Sequence, residues 1–277
     1  MVIRTLMDDK ALEGYSCEHG LSFHITANGK NILFDLGKTN LFTQNAQHMG
    51  VDIAAVDFAV ISHAHYDHGG GLRAFLQAND HALVYVRENA FGEFYARRPN
   101  RADGRKGQFD YIGLDKALRH NPRIIQTGDE YQIADGFSLF SKVTGRELFS
   151  PANIMLYKEY GGDRDDFTHE QNLLITEGDK RVLFVGCAHN GIINILSRYH
   201  EMDPQPLTAV IGGMHLTMPR SHGNILKALV DGIAEYLLTT SAVYYTGHCT
   251  GELEYERLRE IMGNRVHYLA AGSEITI

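Results

Sequence analysis

Tryptophan is absent from the 277-residue sequence, and cysteine and proline are scarce, with three and six residues. The cysteines, Cys17, Cys187 and Cys249, are odd in number and far apart, which argues against a disulfide framework and favours reduced thiols. No apolar run approaches the roughly 20 residues that a membrane-spanning helix requires, and the N-terminus lacks the apolar core of a signal peptide. These absences predict a cytoplasmic protein with no membrane partner.

Basic residues are also fewer than acidic ones. The sequence holds 26 Lys and Arg against 34 Asp and Glu, a formal net charge of −8, which argues against nucleic acid as a partner. Apolar residues make up 44% and charged residues 22%, which are the proportions of a folded globular chain. A chain of this length can form one large core, so we expect a single domain over residues 1–277.

Histidine is abundant, with 15 residues, and several of these follow predicted strands. Apolar runs of strand character end near residues 61, 185, 211 and 245, each with a histidine soon after. A hairpin is predicted over 21–35, with Asn28 and Gly29 in its turn. Helical segments between the strands indicate an α+β fold, a sandwich of two sheets with helices outside, in four αββα layers. Over about 88–170 the pattern weakens and includes a polar loop at 97–106; we expect an insertion there that forms a lid or pocket wall.

The densest group of histidines directly follows the apolar run that ends at Ile61. His63 and His65 lie two positions apart in an extended loop, so they point the same way and can hold one cation together. Asp67 and His68 come after a turn and can face a second cation, and imidazole with carboxylate suits zinc, manganese or iron. The pattern predicts a two-metal site. The alternative, a solvated histidine-rich loop, fits poorly with the buried strand before it and the three glycines after it.

Other strand ends supply further candidates. His189 and His248 can complete the metal site, or each can be a core histidine that is satisfied by a backbone carbonyl. His215 can be a metal ligand, a general acid or a structural histidine. His169 lies in a strongly polar segment, for which we predict surface exposure. The eight remaining histidines, for which no role is predicted, are His19, His24, His48, His81, His120, His200, His222 and His267.

The histidine motif and its surroundings resemble a known family. The stretch from His63 to Gly70, with Phe34 to Gly37 before it, is similar to the signature of the metallo-β-lactamase superfamily. Within that superfamily the chain resembles a microbial subgroup of metal-dependent hydrolases whose members often carry the name 7,8-dihydropterin-6-methyl-4-(β-D-ribofuranosyl)-aminobenzene-5′-phosphate synthase. The resemblance spans about residues 12 to 272, and further segments carry it: 18–22, 186–191, 211–216 and 245–252. It implies the metallo-β-lactamase form of the αββα sandwich.

The resemblance also implies a role for each matching residue. Two divalent cations are implied, with zinc favoured over manganese or iron. Their implied ligands are His63, His65 and His189 for the first cation, and Asp67, His68 and His248 for the second. Cys187 stands where the superfamily usually has a bridging aspartate, so its thiolate can bridge or ligate the cations, or it can be a small buried residue.

A reaction follows from this ligand set. A hydroxide activated by the metals would be the nucleophile, Asp67 would orient it and accept a proton, and His215 would protonate the leaving group. The expected substrate is a small anionic metabolite, such as a phosphate ester or a pterin-ribosyl-phosphate-like compound. Lactone or thioester hydrolysis is equally accessible, and a metal-retaining sensor with little turnover is an alternative from another class. A di-iron redox role fits less well, because such proteins resemble a pattern with glutamate in place of His65 and usually carry a flavin domain.

Overall fold

The computed structural model describes residues 1–98, 107–217 and 223–277, with the backbone alone for 223–225. Most of the predicted polar loop at 97–106 therefore lies outside the described residues, and so does His222. Within the described ranges, no helix has both the length and the apolar character needed to cross a membrane.

The first of two large sheets is built mainly by the N-terminal half of the chain. Its spatial order is β17-β1-β2-β3-β4-β5-β8, and its strands are β1 (Val2–Met7), β2 (Ser22–Ala27), β3 (Lys30–Phe34), β4 (Phe58–Val60), β5 (Leu83–Arg87), β8 (Ile124–Thr127) and β17 (Glu274–Thr276). β2 and β3 form the predicted hairpin. Asn28 and Gly29 in its turn both have positive φ, 47° and 71°, as a two-residue type I′ turn requires. β3, β4, β5 and β8 run parallel, so their carboxyl ends lie at one edge.

The second large sheet repeats this arrangement with later segments. Its spatial order is β16-β15-β14-β13-β12-β10-β9, and its strands are β9 (Glu130–Ala134), β10 (Phe137–Phe140), β12 (Asn172–Glu177), β13 (Lys180–Phe184), β14 (Ala209–Ile211), β15 (Val243–Thr246) and β16 (Val266–Tyr268). β13 to β16 are parallel neighbours. Three further short strands form a separate small sheet: β6 (Tyr95–Arg97), β7 (Phe109–Tyr111) and β11 (Leu156–Tyr157).

The helices of the described residues are α1 (Leu41–His48), α2 (Tyr66–Gly69), α3 (Leu72–Ala78), α4 (Ile192–Met202), α5 (Gly223–Leu238) and α6 (Glu252–Met262). α2 lies within the histidine motif, and the others cover the outer faces of the two sheets. α1 and α3 pack on the first sheet through a buried cluster that includes Phe42 and Phe75. α4, α5 and α6 pack on the second sheet through a cluster that includes Ile195, Val230 and Leu258. A third cluster fills the space between the sheets.

The alternation of side chains along the strands explains why the layers form. In β3, Leu33 belongs to the cluster beneath the helices, whereas Phe34 belongs to the cluster between the sheets. In β13, Leu183 and Phe184 divide in the same way, and the rings of Phe34 and Phe184 meet with centroids 5.8 Å apart. A strand that is buried on both faces must be apolar throughout. The predicted αββα sandwich is confirmed.

The predicted insertion at about 88–170 contributes to three sheets. β6, β7 and β11 form the small sheet, whereas β8 joins the first large sheet and β9 and β10 join the second. Along the chain, the three strands that join the large sheets thus lie between β7 and β11 of the small sheet. The single domain and the lid or pocket wall stay predictions.

His24 lies on β2 with 4% of its surface exposed, and it gives the fold a sensitivity to acid. Burial, followed by the positive charge of Arg4, lowers the pKa of His24 to about 4. Because the unfolded chain binds a proton near pH 6.5 and the folded one near pH 4, stability is present above about pH 6.5 and is lost as the pH falls towards 4.

Lowering the pH from 7 to 5 should reduce the free energy of unfolding of both the wild type and a His24→Leu variant. We expect the reduction to be about 1–2 kcal/mol smaller for His24→Leu than for the wild type. Urea unfolding at the two pH values measures this difference. His267→Leu, at an exposed strand position, is the matched control. An equal acid loss in wild type and His24→Leu would contradict the prediction.

Candidate metal centre

The carboxyl ends of the parallel strands β4, β13, β14 and β15 bring the predicted histidines together. His63 lies within 4.8 Å of His189, and His189 within 4.2 Å of His215, between ring centroids. His68 and His248 have ring centroids 4.9 Å apart. Segments that are remote in the sequence therefore meet at one edge of the sandwich, next to a cavity of about 140 Å³.

The backbone near these histidines adopts uncommon conformations. Ala188, His215 and His248 have positive φ values of 50°, 47° and 46°, a region that non-glycine residues rarely adopt. Such strain persists only where the surrounding structure enforces it, and it concentrates at functional sites. Two of these residues are site histidines and the third directly precedes His189. The uncommon backbone conformations therefore occur where the site side chains are oriented.

His63, His65 and His189 form the first cluster. Their ring centroids are 4.6 to 4.8 Å apart in all three pairs. Each has a buried Nε2 atom with no hydrogen-bond partner among the described residues. A buried polar nitrogen without a partner is costly. Three such atoms on neighbouring rings can serve as ligands of one cation.

The outer nitrogens of this cluster are held by neighbouring side chains. His63 Nδ1 lies 2.9 Å from Ser62 Oγ, whose hydroxyl donates to Asp35. His189 Nδ1 lies 2.9 Å from Asn153 Oδ1. Both acceptors place the proton on Nδ1 and leave the lone pair on Nε2. Burial lowers the pKa of His63 and His189 well below the usual value, so these imidazoles are neutral, the form that binds metals.

Gly186 is required for this arrangement. A Cβ atom built at Gly186 would lie 2.1 Å from Ser62 Oγ and 2.9 Å from His63 Nδ1. Any side chain at this position would therefore displace the hydrogen bond that orients His63. The close approach of β13 to the histidine loop depends on glycine.

Asp67, His68 and His248 form the second cluster. The Nε2 atoms of His68 and His248 are 3.1 Å apart, and Asp67 Oδ2 lies 3.8 Å and 3.4 Å from them. His68 Nδ1 donates to Asp35 at 2.7 Å and His248 Nδ1 donates to Asp9 at 2.6 Å. Two Nε2 lone pairs and a carboxylate oxygen thus face one small space. These donors fit a cation.

Carboxylates in and beside the second cluster favour a proton on His248. Burial lowers the pKa of His248, but Asp67 and Asp9 outweigh it and hold that pKa well above its usual value. Burial raises the pKa of Asp67, but the neighbouring imidazoles hold it well below the usual range. A proton on His248 and a divalent cation therefore compete for the same negative charge.

Cys187 lies between the two clusters. Its Sγ is 3.2 Å from His68 Nε2, and it lies within 4.8 Å of ligand atoms from His63 and His189 and also from His68 and His248. Burial raises the pKa of the Cys187 thiol. The sulphur therefore lies within reach of both clusters.

The structure adds residues that the sequence pattern did not select. Asp35 supports His68 directly and His63 through Ser62. Asp9 lies against both His248 and His19, a histidine for which no role was predicted. Asp35 stands in one of the segments that carry the family resemblance, and His19 stands in another. That placement is the signal that could have identified them.

The prediction that His169 is exposed is wrong. His169 is fully buried, its Nδ1 accepts from the backbone N–H of Ala64 at 3.1 Å, and its Nε2 lies 3.0 Å from Asp165. Both ring nitrogens therefore have partners within the protein. His169 holds the backbone between His63 and His65, and its polar neighbours Asp165, Glu170 and Gln171 are buried with it.

Two kinds of residue line the cavity beside the centre. The candidate metal-binding side chains His65, Asp67, Cys187 and His189 line it, together with His19, His215 and Cys249. Its other lining residues are Tyr66, Ala96, Arg98, Ile112 and Leu156. A small molecule in the cavity would therefore meet histidines, apolar groups and one arginine.

Comparisons with known proteins identify the family and agree with the fold. The family model described as the metallo-beta-lactamase superfamily matches residues 16–162, which is more than half of the chain. The protein therefore belongs to the metallo-β-lactamase superfamily. Proteins of this superfamily typically bind metal, and the clusters of His, Cys and Asp described above can do so.

Individual relatives cover nearly the whole chain. An uncharacterised protein of Methanocaldococcus jannaschii is 27% identical over 94% of this chain and 94% of its own length. From the same organism, 7,8-dihydropterin-6-methyl-4-(beta-D-ribofuranosyl)-aminobenzene-5'-phosphate synthase is 27% identical over 90% of this chain and 87% of its own length. The crystal structure of Tm1679, described as a metal-dependent hydrolase of the beta-lactamase superfamily, has a TM-score of 0.80 at 26% identity and covers 100% of this chain and 99% of its own. The two named relatives thus differ in reaction class.

Proposed function

We propose that the protein is a hydrolase that depends on two divalent cations and acts on a small anionic metabolite. The observation that carries the proposal is the set of three buried, unpartnered Nε2 atoms of His63, His65 and His189, beside a second ligand set and a cavity. When bound, paired divalent cations supply a water of lowered pKa as nucleophile and stabilise negative charge on the substrate. Zinc is the proposed metal, because imidazole ligands dominate both clusters.

The proposed ligand sets follow the two clusters. His63, His65 and His189 would hold the first cation and Asp67, His68 and His248 the second, with Cys187 placed to bridge them. Asp67 has a second task at the edge of the cavity. Its low pKa keeps it a carboxylate at neutral pH, so that it can orient the water by accepting a hydrogen bond.

His215 is the proposed proton donor to the leaving group. Its ring lines the cavity and its centroid is 4.2 Å from that of His189. Its main chain is pinned on both sides, because the carbonyl accepts from Ser150 Oγ and the N–H lies 3.3 Å from Cys249 Sγ. The backbone of His215 is therefore held in place, and its ring Nδ1 has no hydrogen-bond partner among the described residues.

The arginine and the apolar residues of the cavity lining support an anionic substrate. Arg98 lines the cavity and has its Nε 2.7 Å from Asp110, which orients the guanidinium. Ala96, Ile112 and Leu156 next to it offer an apolar surface. These residues come from the segment 88–170, which we propose to be the pocket wall. Phosphate esters meet these requirements.

A cytoplasmic location is also part of the proposal, because the scattered cysteines favour reduced thiols.

We expect the zinc-loaded protein to hydrolyse at least one member of a panel of phosphate monoesters, phosphodiesters, lactones and thioesters, and to lose this activity when chelated. His215→Ala should lower kcat by about 100-fold, the effect of removing a general acid, with metal content unchanged. Steady-state kinetics with plasma mass spectrometry of the same samples measures both quantities.

The choice of leaving group provides the control. An ester whose leaving group needs no proton should be cleaved by His215→Ala at close to the wild-type rate. An equal loss on both kinds of ester would contradict the proton-donor role. No turnover of any ester by protein that holds two cations would contradict the hydrolase and favour a ligand-binding sensor.

A further inference from the structure

His19 lies at the mouth of the cavity, beside the second cluster. It precedes β2, its side chain is 54% exposed, and its ring centroid is 4.8 Å from that of His248. It lines the same cavity as Asp67. An imidazole therefore approaches the second cluster from a part of the chain that precedes the histidine motif.

The side chain of His19 faces two carboxylates, so a positive charge is needed there, which either a second ring proton or a metal cation supplies. Its Nδ1 is 3.0 Å from Asp9 Oδ2, and its Nε2 is 3.3 Å from Asp67 Oδ2. A neutral imidazole has one N–H, so it can donate to only one of these carboxylates. If Nδ1 donates to Asp9, the Nε2 lone pair faces the Asp67 oxygen. Two electron-rich atoms at this distance fit together when they share a positive ion.

Asp9 contacts the Nδ1 atoms of both His19 and His248. One carboxylate oxygen holds Nδ1 of His248 at 2.6 Å and the other holds Nδ1 of His19 at 3.0 Å. The Nε2 atoms of the two rings then lie 3.4 Å and 3.3 Å from the same oxygen of Asp67. A carboxylate that fixes the outer nitrogen of a histidine is the usual support for a metal ligand. Asp9 provides this support twice.

We propose that His19 is a further ligand of the second cation, an inference that rests on the two-cation site proposed above. The second cation then has four ligands from the protein: Asp67, His68, His248 and His19. The first has the three imidazoles of its cluster, so it has one protein ligand fewer than the second, whether or not Cys187 bridges the two. Structural zinc sites usually have four protein ligands, whereas catalytic sites usually have three and an open position. The first cation is therefore the one with more room for water or substrate.

The test measures zinc affinity at the second site alone. In a His63→Ala/His65→Ala background only the second ligand set is intact, so chelator competition reports one dissociation constant. Adding His19→Ala to this background should weaken zinc binding by at least about 10-fold, since even residues that merely support a ligand cost this much. His120→Ala, at an exposed position, is the matched control and should leave the constant unchanged.

A second variant separates ligation from hydrogen bonding. The side chain of His19→Gln can still donate to Asp67, but an amide is a poor zinc ligand compared with imidazole, so this variant should bind zinc as weakly as His19→Ala. Wild-type affinity in His19→Gln would show that His19 is a hydrogen-bond donor and overturn the inference. Unchanged affinity in His19→Ala would overturn it as well.

The failure of the inference is distinguishable from failure of the proposed function. Wild-type protein that binds fewer than two zinc ions, or binds two that ignore the His63→Ala/His65→Ala change, overturns both. Wild-type protein that loses one ion through that change, with no effect of His19→Ala on the other, overturns the inference about His19 alone.

Discussion

The His63→Ala/His65→Ala protein is expected to hold about one equivalent of divalent metal where the wild type holds about two, and to lose at least about 1,000-fold in hydrolytic rate. The first cluster would keep only His189, and one imidazole cannot retain a cation against solvent. The rate falls because paired cations lower the pKa of the attacking water by several units, an effect that the second cation alone supplies only in part. Plasma mass spectrometry and turnover of the best substrate from the ester panel measure the two losses.

The same preparation needs a control for folding. Both side chains are buried, so circular dichroism and a melting curve must accompany the metal analysis. His120→Ala should retain both ions and full activity. Two equivalents of metal in a folded double variant would contradict the assignment of His63 and His65 as ligands.

Asp35→Ala is expected to have the largest effect on stability, a loss of about 3–5 kcal/mol in the free energy of unfolding. The carboxylate is fully buried and accepts from Ser62 N, Ser62 Oγ and His68 Nδ1, each at 2.7 Å. Its removal leaves buried donors without an acceptor. Asp35 also has a φ of 59°, a conformation that aspartate tolerates better than alanine. Denaturant unfolding in the absence of metal measures the loss.

The amide variant separates packing from charge. Asp35→Asn keeps the shape and the tolerance for positive φ, so it should lose less stability than Asp35→Ala while weakening metal binding by about 10–100-fold. Asp80→Ala, at a fully exposed carboxylate, serves as the surface control. A loss below about 1 kcal/mol in Asp35→Ala would mean that the network does not stabilise the fold.

Periodicity predicted the main layers because strands buried on both faces have apolar runs that no surface segment has. The runs that became β4 and β13 illustrate this, and the turn at Asn28 and Gly29 defined the first hairpin. β6, β7 and β11 escaped prediction because strands of two or three residues leave no period to detect. β9 and β10 escaped because their pattern lies within a region that otherwise reads as loops.

For the candidate site, local spacing was informative and long-range pairing was not. His63, His65, Asp67 and His68 stand within six positions and could be recognised together. The contact between Asp9 and His248 joins residues 239 positions apart, which no spacing rule reveals. His169 was misjudged for a related reason, since the polarity around it belongs to buried pairs such as that with Asp165.

Asp9 and His248 also determine when the centre can be assembled. During synthesis, a ribosome-bound chain already contains Asp9 and the whole histidine motif before residue 248 has emerged. Until then, Asp9 has no His248 to contact. The second ligand set exists only after β15 has docked beside β14 and the N-terminal strand has reached it. On the proposed ligand assignment, a cation binds at the second cluster only late in biogenesis, and it then connects a loop after β1 to the loop after β15.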